Sequence, residues 1–588
     1  MIRLAFVVMK KVMCNSYMRR FLLLSAMIMT CCAAVYARHD VKNENDSVFG
    51  RTVVVEKEYN PDIDDADKVN LMPDDVEKIS VPASRIIYAD SPYAGQGMKS
   101  FSDMSLVNVG VEPQNAGKGL VYAGYGLRGK ADAGFIFNSD IGRRDRIGIN
   151  VAFRGEDDER DLDGIQFVNK EATWDAEYYD FTADLNYRHY FDGLALTVKG
   201  GTDYETFGYI APASADKPHQ HNLAGHVSAD IVSEKDGKSL SYGAGLEYRY
   251  FRNSESPLYA DFENKQNLLS LTGNVVMPFA GDMSAGVDAD FTYLSNTFDG
   301  YGNYATLSLN PFYGWSNEAV ALKAGVNLDF GLSNGEAFLI SPDVSLDVKM
   351  SGKYKLSLSA TGGRDIADMN RINGYTPYWF MGPDDVNLID CYVPLHAELA
   401  LSGSPVSGFG FRLYGGYEIN TDGLCLRRFI DDRSFIPSPY AWYDGVAFVD
   451  FHDSRKAFAG GRLSYEYRDV VDISVSGEWN GWTTAEADEY GGRPGSFLEL
   501  KPEAKIKAEA KVRITDKFHA SLSYCYLKFK DYALVDDVNQ LNLRLSYTIF
   551  KGFGVYADGT NLLNKDYSLC FPAPAQKIGF TAGLSYMF

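Results

Sequence analysis

The sequence predicts an all-β protein: a large antiparallel transmembrane β-barrel of about 22 strands with a short irregular N-terminal extension. Three observations lead to this prediction. Apolar and polar residues alternate with a period of two along many segments of about ten residues. Aromatic residues make up 14% of the 588-residue chain and edge the apolar faces of those segments. A secretory leader precedes the alternating segments and directs them out of the cytoplasm.

The leader covers residues 1–37. Arg19 and Arg20 precede the apolar stretch Phe21–Ala34, and Val35-Tyr36-Ala37 ends in the small residue that a cleavage site needs. The stretch is too short to anchor the chain in a bilayer. We therefore expect cleavage after Ala37 and localisation in the outer membrane of a double-membrane bacterium.

Residues 38–118 are predicted to form an acidic extension at the periplasmic mouth or partly within the lumen. Asp40–Lys78 is rich in aspartate and broken by Pro61 and Pro73, which disfavours a packed core. The run Asp62–Asp67 suggests a calcium loop, but it lacks the Gly and the terminal Glu of such a loop. A solvated extension is the interpretation that this charge run favours.

Residues 119–588 are predicted to form the barrel. In Met283–Tyr293 the odd positions are apolar, whereas the even positions carry small, polar or acidic side chains. Alternation of this kind turns one face of a strand to lipid and the other to the lumen. A membrane helix needs about 20 consecutive apolar residues, and the leader is the one segment of the sequence that approaches this length. A bundle of membrane helices is therefore excluded. The same alternation occurs in Ser239–Phe251, Val320–Phe330, Phe409–Tyr417, Gly461–Tyr467, Val471–Trp479 and Leu541–Ile549.

The connections are predicted to differ in length between the two rims of the barrel. Ser402–Gly408 and Lys551–Gly552 are predicted periplasmic turns. The predicted extracellular loops are Gly155–Asp175, Glu205–Pro218, Gly363–Pro394, Asn420–Pro439 and Asn480–Gly495.

No catalytic, cofactor-binding or metal-binding residues are predicted. The net charge of −21 excludes ordinary nucleic-acid binding, because no basic footprint is present. Gly331–Gly335 and Gly124–Gly129 have the letters of a nucleophile elbow and of a dinucleotide fingerprint, but neither is followed by the required helix. His219 and His221 share one face of their strand while His226 lies on the other, so the three do not converge on a metal.

The last strand carries the most specific motif. Thr581, Gly583, Tyr586 and the terminal Phe588 follow the order of a polar residue, a glycine and two aromatic residues that end the chain. This pattern resembles the signal by which barrel proteins are recognised for assembly, and we assign those four residues that role.

Just upstream, Asn561-Leu562-Leu563-Asn564-Lys565-Asp566-Tyr567 resembles the Asn-Leu-Leu/Phe-Asp/Asn-x-x-Tyr stretch near the end of TonB-dependent receptor barrels. The family continues with Pro-Gly-Arg-aromatic. Here Pro572-Ala573-Pro574-Ala575-Gln576 keeps the prolines and lacks the Gly-Arg pair. The resemblance implies a barrel of this family, although residues 38–118 are too short for its globular plug. Thr52-Val53-Val54-Val55-Glu56 is similar to the short segment that pairs with TonB by strand addition.

Aromatic residues in the predicted loops are candidate contacts for a ligand or a partner. Flat aromatic faces at an outer rim can stack on sugars or anchor a protein. The alternative is that they pack among the loops and form an interfacial girdle. The residues are Tyr375, Tyr378, Trp379, Phe380, Trp442, Tyr443 and Trp482.

Two of the four cysteines that follow the leader are predicted to form a disulfide. Cys391 and Cys425 flank two strands joined by the Ser402–Gly408 turn, so both return to one rim. Adjacent strands are about 4.8 Å apart, which suits a disulfide, and the envelope is oxidising. Cys525 and Cys570 are the other two.

The resemblance implies uptake or binding of a solute across the outer membrane. The alternative is a non-conducting structural or assembly subunit of an outer-membrane complex. The expected partners are outer-membrane lipid, the barrel-assembly machinery, and either a surface lipoprotein or TonB.

Overall fold

The computed structural model describes residues 119–161, 173–209, 219–233, 240–254, 264–297, 302–351, 353–380, 390–427, 447–468, 470–484, 501–529, 536–570 and 573–588. The leader, the acidic extension and the segment Thr52–Glu56 lie outside these residues. The chain divides into two compact units, Met1–Val69 and Asn70–Phe588, and every described residue belongs to the second.

The described residues form one closed antiparallel β-barrel. Of 25 strands, three short ones lie outside the wall, which leaves 22 in it, as the sequence predicts. The three are β14 (Trp379–Phe380), β23 (Ser568–Cys570) and β24 (Ala573–Pro574). The wall strands are β1 (Gly119–Gly126), β2 (Ala131–Asp140), β3 (Asp145–Asp161), β4 (Thr173–Phe191), β5 (Leu194–Gly208), β6 (His219–Ser233), β7 (Ser241–Asn253), β8 (Asn264–Ala280), β9 (Met283–Asn296), β10 (Tyr304–Ser316), β11 (Val320–Ser333), β12 (Phe338–Ser351), β13 (Tyr354–Ile366), β15 (Asp390–Val406), β16 (Phe409–Arg427), β17 (Ala447–Tyr467), β18 (Val471–Thr483), β19 (Ala504–Arg513), β20 (Phe518–Lys528), β21 (Val538–Phe550), β22 (Phe553–Thr560) and β25 (Gly579–Met587).

Two helical segments occur among the described residues. They are the helix α1 (Met369–Tyr375) and a 3-10 turn at Leu127–Gly129. Neither is long or apolar enough to cross a bilayer.

The first and last strands close the wall. β1 pairs with β2 on one side and with β25 on the other. The N–H of Gly119 donates to the carbonyl of Phe588 at 3.0 Å, and the N–H of Phe588 donates to the carbonyl of Gly119 at 3.0 Å. The chain terminus therefore completes the ladder, and no wall strand is left with an unpaired edge.

The connections at one rim are mostly short turns, and the long connections lie at the other rim. The turns at 407–408 and 551–552 each have two residues, and Gly408 and Gly552 adopt φ of +77° and +76°, a left-handed conformation that favours glycine. Gly119 and Phe588 lie at this same rim. It is therefore the periplasmic rim. The turn at Lys551–Gly552 has the predicted bounds, whereas the predicted turn Ser402–Gly408 is shorter than expected because β15 continues to Val406.

The period-two alternation sorts the side chains as the sequence predicts. On β9, Val287 is 46% exposed on the outer face while Asp288 is 6% exposed on the inner face. Glu418 and Arg544, also predicted to face the lumen, are likewise buried against the inner wall. The outward apolar set forms the lipid-facing belt.

The strands are longer at the outer rim than the sequence predicts. β3 and β4 stay paired as far as Asp161 opposite Thr173, and β17 runs for 21 residues. A transmembrane strand needs about 9–11 residues, so these hairpins extend beyond the bilayer. The prediction that Gly155–Asp175, Glu205–Pro218 and Asn420–Pro439 are loops throughout is therefore wrong, because each begins as paired strand. Gly363–Pro394 and Asn480–Gly495 are corrected in the same way, since β13, β15 and β18 reach into them.

The segment that resembles the receptor family shapes the last outer connection. Asn561 is 1% exposed and adopts φ of +47°. Its side chain donates to the carbonyls of Lys565 at 2.9 Å and Gln576 at 3.0 Å, and its own N–H donates to Asn542 Oδ1 at 3.0 Å. An asparagine suits this position because it tolerates the left-handed conformation and satisfies the turn's backbone groups.

The two cysteines of the predicted disulfide lie on neighbouring strands but are free thiols in this structure. Both are buried, and the Cys391 sulfur lies within hydrogen-bonding reach of the Leu424 backbone, next to Cys425. Cys425 packs against Trp482, whereas Cys391 belongs to the main apolar cluster of the outer mouth. The disulfide itself stays a prediction.

We expect Tyr586→Ala/Phe588→Ala to prevent assembly of the barrel without affecting export. Both side chains lie on the lipid face of β25, where Phe588 stacks on Tyr586 at 6.1 Å and on Phe135 at 6.4 Å. The measurement is heat-modifiable mobility of membrane-extracted protein. The matched control is Tyr547→Ala/Ile549→Ala, which removes two lipid-facing side chains near the same rim of β21. Normal amounts of heat-modifiable protein in the terminal variant would show that those residues are not the signal.

Non-reducing peptide mapping tests the cysteine pair. We expect the Cys391 and Cys425 peptides from freshly extracted membranes to be recovered as one linked species, because the envelope is oxidising and the two residues lie on neighbouring strands. Cys525, buried on β20, is the internal control that should be alkylated only after unfolding. Recovery of all three as alkylated free thiols would contradict the disulfide.

Candidate functional site

The connection between β13 and β15 folds into the outer mouth of the barrel. We call its described part, residues 367–380, the crossbar. It contains α1 and β14. Asp368 begins the helix in extended conformation, and its side chain accepts a hydrogen bond from the N–H of Arg371 at 2.8 Å. Aspartate is a strong N-cap residue, which explains why α1 begins there.

The start of the crossbar is held to β7 and β8 by polar side chains. Arg249 Nη1 on β7 lies 2.8 Å from Asp368 Oδ2. Gln266 on β8 accepts a hydrogen bond from the N–H of Met369 at 2.8 Å. Both ties satisfy groups at the N-terminus of α1, so they fix its position as well as its direction.

The middle of the crossbar is held to β5 and β6. Asn373 Nδ2 donates to Glu205 Oε2 on β5 at 2.8 Å, and Asn222 Nδ2 on β6 donates to Asn373 Oδ1 at 2.8 Å. The indole N–H of Trp379 donates to the same Asn373 oxygen at 3.2 Å. Glu205 and Asn222 are 3% and 2% exposed, so these ties lie in a buried setting where hydrogen bonds are costly to leave unmade.

The end of the crossbar is packed by aromatic side chains and paired to the far wall. Tyr378 is fully buried, with its ring centroid 5.0 Å from Phe207 and 5.8 Å from Trp174. Trp379 pairs in parallel with Ala447 on β17, and the N–H of Ala447 donates to the carbonyl of Tyr378 at 2.7 Å.

The crossbar therefore spans the mouth. Its polar side-chain contacts are with β5–β8, which lie five to eight strands from β13 around the wall. β14 pairs with β17, which lies in the opposite direction around the wall, beyond β15 and β16. A segment that contacts both regions has to cross the lumen as a chord. It crosses the outer opening of the described barrel from one side of the wall to the other.

Two ion pairs fix the roots of the crossbar. Arg364 on β13 pairs with Asp390 on β15, and both are nearly fully buried. The hydroxyl of Tyr304 also donates to Asp390. Arg371 of α1 pairs with Asp365 through both oxygens, with one contact at 2.8 Å. These ion pairs are not predicted from the sequence. The one indication of them in the sequence is that charged residues stand at both ends of an aromatic-rich loop.

Three of the predicted aromatic contacts do not present free faces in the described structure. Tyr375, Tyr378 and Trp379 are 8%, 0% and 2% exposed. They pack among the outer ends of the strands, which is the alternative that the sequence left open. The side chain of Phe380, together with Trp442 and Tyr443, lies outside the described residues. Trp482 is half-buried on the inner face of β18.

The inner wall carries both cationic and anionic side chains, and several of them form ion pairs between neighbouring strands. Lys323 Nζ lies 2.7 Å from Asp343 Oδ2, and Arg544 pairs with Asp558. Arg412 Nη2 lies 2.5 Å from a carboxylate oxygen of Glu398. Each pair offsets opposite charges on an inner wall that is polar, as expected of a large barrel.

The enzyme-like and metal-like motifs take ordinary structural roles. Gly331–Gly335 turns from β11 into β12, and Gly124–Gly129 leads from β1 into β2. His219 and His221 are exposed on either side of the buried Gln220. Within the described ranges no set of three His, Cys, Asp or Glu side chains could hold a metal ion.

No family model matches the chain, and no curated protein sequence matches it. Its structure is similar to solved outer-membrane receptors and transporters. A mutant of the ferric enterobactin receptor from Pseudomonas aeruginosa has a TM-score of 0.58 and 13% identity over 80% of each chain. The ferric-catecholate import receptor Fiu from E. coli K12 has a TM-score of 0.56 and 9% identity, over 81% of this chain and 82% of that one.

A third structure, the copper transporter OprC, has a TM-score of 0.54 and 12% identity, over 81% of this chain and 84% of that one. The resemblance noted in the last outer connection is thus confirmed at the level of the fold: the chain has a 22-strand barrel similar to the folds of these solved receptors and this transporter.

Proposed function

We propose that the protein takes up a solute from outside the cell and passes it through the barrel lumen. The observation that carries this proposal is the crossbar, a segment tied across the mouth of a closed barrel by polar side chains. Each of these ties has a modest net worth of about 0.5–3 kcal/mol as long as its groups find new partners, so the segment can be released when water or a polar ligand supplies those partners. We assign the crossbar the role of a gate.

The neighbouring structures support this class of process. They include receptors for ferric enterobactin and ferric catecholates and a copper transporter. The polar inner wall also supports it, because a water-filled passage requires one. A barrel whose only role is structural has no need for a gate at its mouth.

We also propose that the partners are the barrel-assembly machinery and either a surface lipoprotein or TonB. Thr52–Glu56 is the segment that would pair with TonB by strand addition. Co-purification in mild detergent from cells that express the full chain, with and without these five residues, tests whether the partner is TonB or a surface lipoprotein.

We expect replacement of residues 369–379 by a flexible Gly-Ser linker of equal length to open the barrel. The replacement removes α1, the Asn373 ties and the buried Tyr378 while leaving the wall strands intact. In planar bilayers, the wild-type protein should show rare openings and the variant a sustained conductance.

The control for this replacement is a linker of the same kind in the outer connection between β7 and β8, residues 255–263, which is not part of the crossbar. Heat-modifiable mobility establishes that each variant is folded. A folded crossbar variant that stays silent would contradict the proposal and favour the non-conducting structural subunit.

We expect Arg249→Ala to loosen the gate without removing it. The substitution leaves the Asp368 carboxylate, 4% exposed in the folded protein, without its cation. Loss of a charged hydrogen bond costs about 1.5–3 kcal/mol, and about 1.4 kcal/mol is a factor of ten in an equilibrium. Opening in bilayers should therefore become at least about tenfold more frequent.

Arg252→Ala is the matched control, because Arg252 lies three residues along the same strand and is exposed. Equal opening frequencies in the two variants would show that the Arg249–Asp368 pair does not hold the crossbar closed.

A further inference from the structure

A row of side chains crosses four neighbouring strands on the inner wall of the barrel. His396 on β15 stands opposite Glu418 on β16, Glu418 stands opposite Lys456 on β17, and Lys456 stands opposite Trp482 on β18. Lys501, just before β19, extends the row by lying over the Trp482 ring. The alternation places these residues on the lumen side of the wall.

The single carboxylate of the row is fully engaged. Glu418 is 4% exposed. It contacts His396 Nδ1 at 2.8 Å and Lys456 Nζ at 3.0 Å, and it accepts a hydrogen bond from Asn420 at 2.9 Å. Its negative charge is therefore offset by Lys456 and is not available to a second cation.

Trp482 lies in the row between Lys456 and Lys501, and both lysines place their ammonium groups near its indole ring. Lys501 Nζ lies 4.5 Å from the ring centroid and Lys456 Nζ lies 5.3 Å from it, both within the range of a cation–π contact. The indole N–H donates to the carbonyl of Pro502 at 3.4 Å, and the ring packs against Cys425. These contacts fix the plane of the ring.

Lys501 gives the row an excess of positive charge. Among the described residues it forms a cation–π contact but no ion pair with a carboxylate. The row thus holds two lysine ammonium groups for one carboxylate, beside a fixed aromatic ring. A flat solute that carries an anionic group complements this arrangement, because its charge meets Lys501 and its apolar part meets the indole.

We propose that Lys501, Trp482 and Lys456 form a binding subsite for a planar carboxylate-bearing solute on its path through the lumen. The subsite deepens the proposed uptake function and rests on it. Lys501 and Trp482 contact the solute, and Glu418 positions Lys456. Among the predicted aromatic contacts that the structure describes, Trp482 is the one that keeps the role of a ligand contact.

The test measures binding of benzoate to the purified full-length protein in detergent by calorimetry and tryptophan fluorescence. Benzylammonium, of similar shape and opposite charge, is the control ligand. We expect benzoate to bind and benzylammonium to bind at least about tenfold more weakly. Lys501→Gln should lower benzoate affinity about tenfold, Lys501→Arg should retain it, and Trp482→Phe should remove the fluorescence response.

Lys565→Gln is the matched control variant, because Lys565 is an exposed lysine of the last outer connection. Heat-modifiable mobility establishes that each variant is folded. Equal affinity for the two ligands, unchanged benzoate affinity in Lys501→Gln, or no benzoate binding at all would overturn the subsite.

Flux of benzoate into proteoliposomes separates this inference from the proposed function. Binding that depends on Lys501 without any flux, even when residues 369–379 are replaced by the Gly-Ser linker, would support the subsite and contradict uptake. Flux that is the same in the wild-type protein and in Lys501→Gln would support uptake and overturn the subsite.

Discussion

Closure of the backbone hydrogen-bond ladder is the constraint on which the rest of this structure depends. Lipid offers no partner to an exposed N–H or carbonyl group, so a sheet that crosses a bilayer has to meet its own first strand. Here the meeting point joins Gly119 to Phe588 by two backbone hydrogen bonds. The eight residues of β1 and the nine of β25 are short for wall strands, yet the ring is complete only through them.

A closed wall of 22 strands leaves a lumen that its own side chains do not fill. Outer connections can occupy that space only if their polar backbone groups find partners there. The crossbar meets this requirement with a capped helix, a parallel pairing with β17 and side-chain ties from β5–β8. Its anchoring is mixed, since Tyr378 is fully buried while Asn373 makes three hydrogen bonds.

Charged side chains on the inner wall need partners for the same reason. Several inward cations of the described wall pair with carboxylates on neighbouring strands, as Lys323 does with Asp343 and Arg412 with Glu398. Pairing lowers the cost of holding charge in a partly desolvated wall. Lys501 forms no ion pair with a carboxylate of the described ranges, and its charge is therefore a candidate for recognition of a ligand.

Part of this architecture could be predicted because its cause is local. The alternation in Met283–Tyr293 decides which side chains face lipid, since a strand turns successive residues to opposite faces whatever its neighbours are. The two-residue turns at Gly408 and Gly552 are local in the same sense. The outer ends of the wall strands are predicted too close to the bilayer. Strand pairing continues wherever two backbones stay side by side, and the hydropathy pattern carries no information about such pairing outside the bilayer.

By itself, then, the sequence determined the barrel, its inner and outer faces, its periplasmic turns and the closing strand, all of which follow from period-two patterning and short turns. The tertiary structure alone decided that Tyr378 and Trp379 lie buried in a crossbar, that Arg364 meets Asp390, and that Lys456, Trp482 and Lys501 stand in one row. These contacts join residues far apart in the chain or on different strands. Their geometry depends on strand register and on the path of a loop across the lumen, and neither is encoded in any single stretch of sequence.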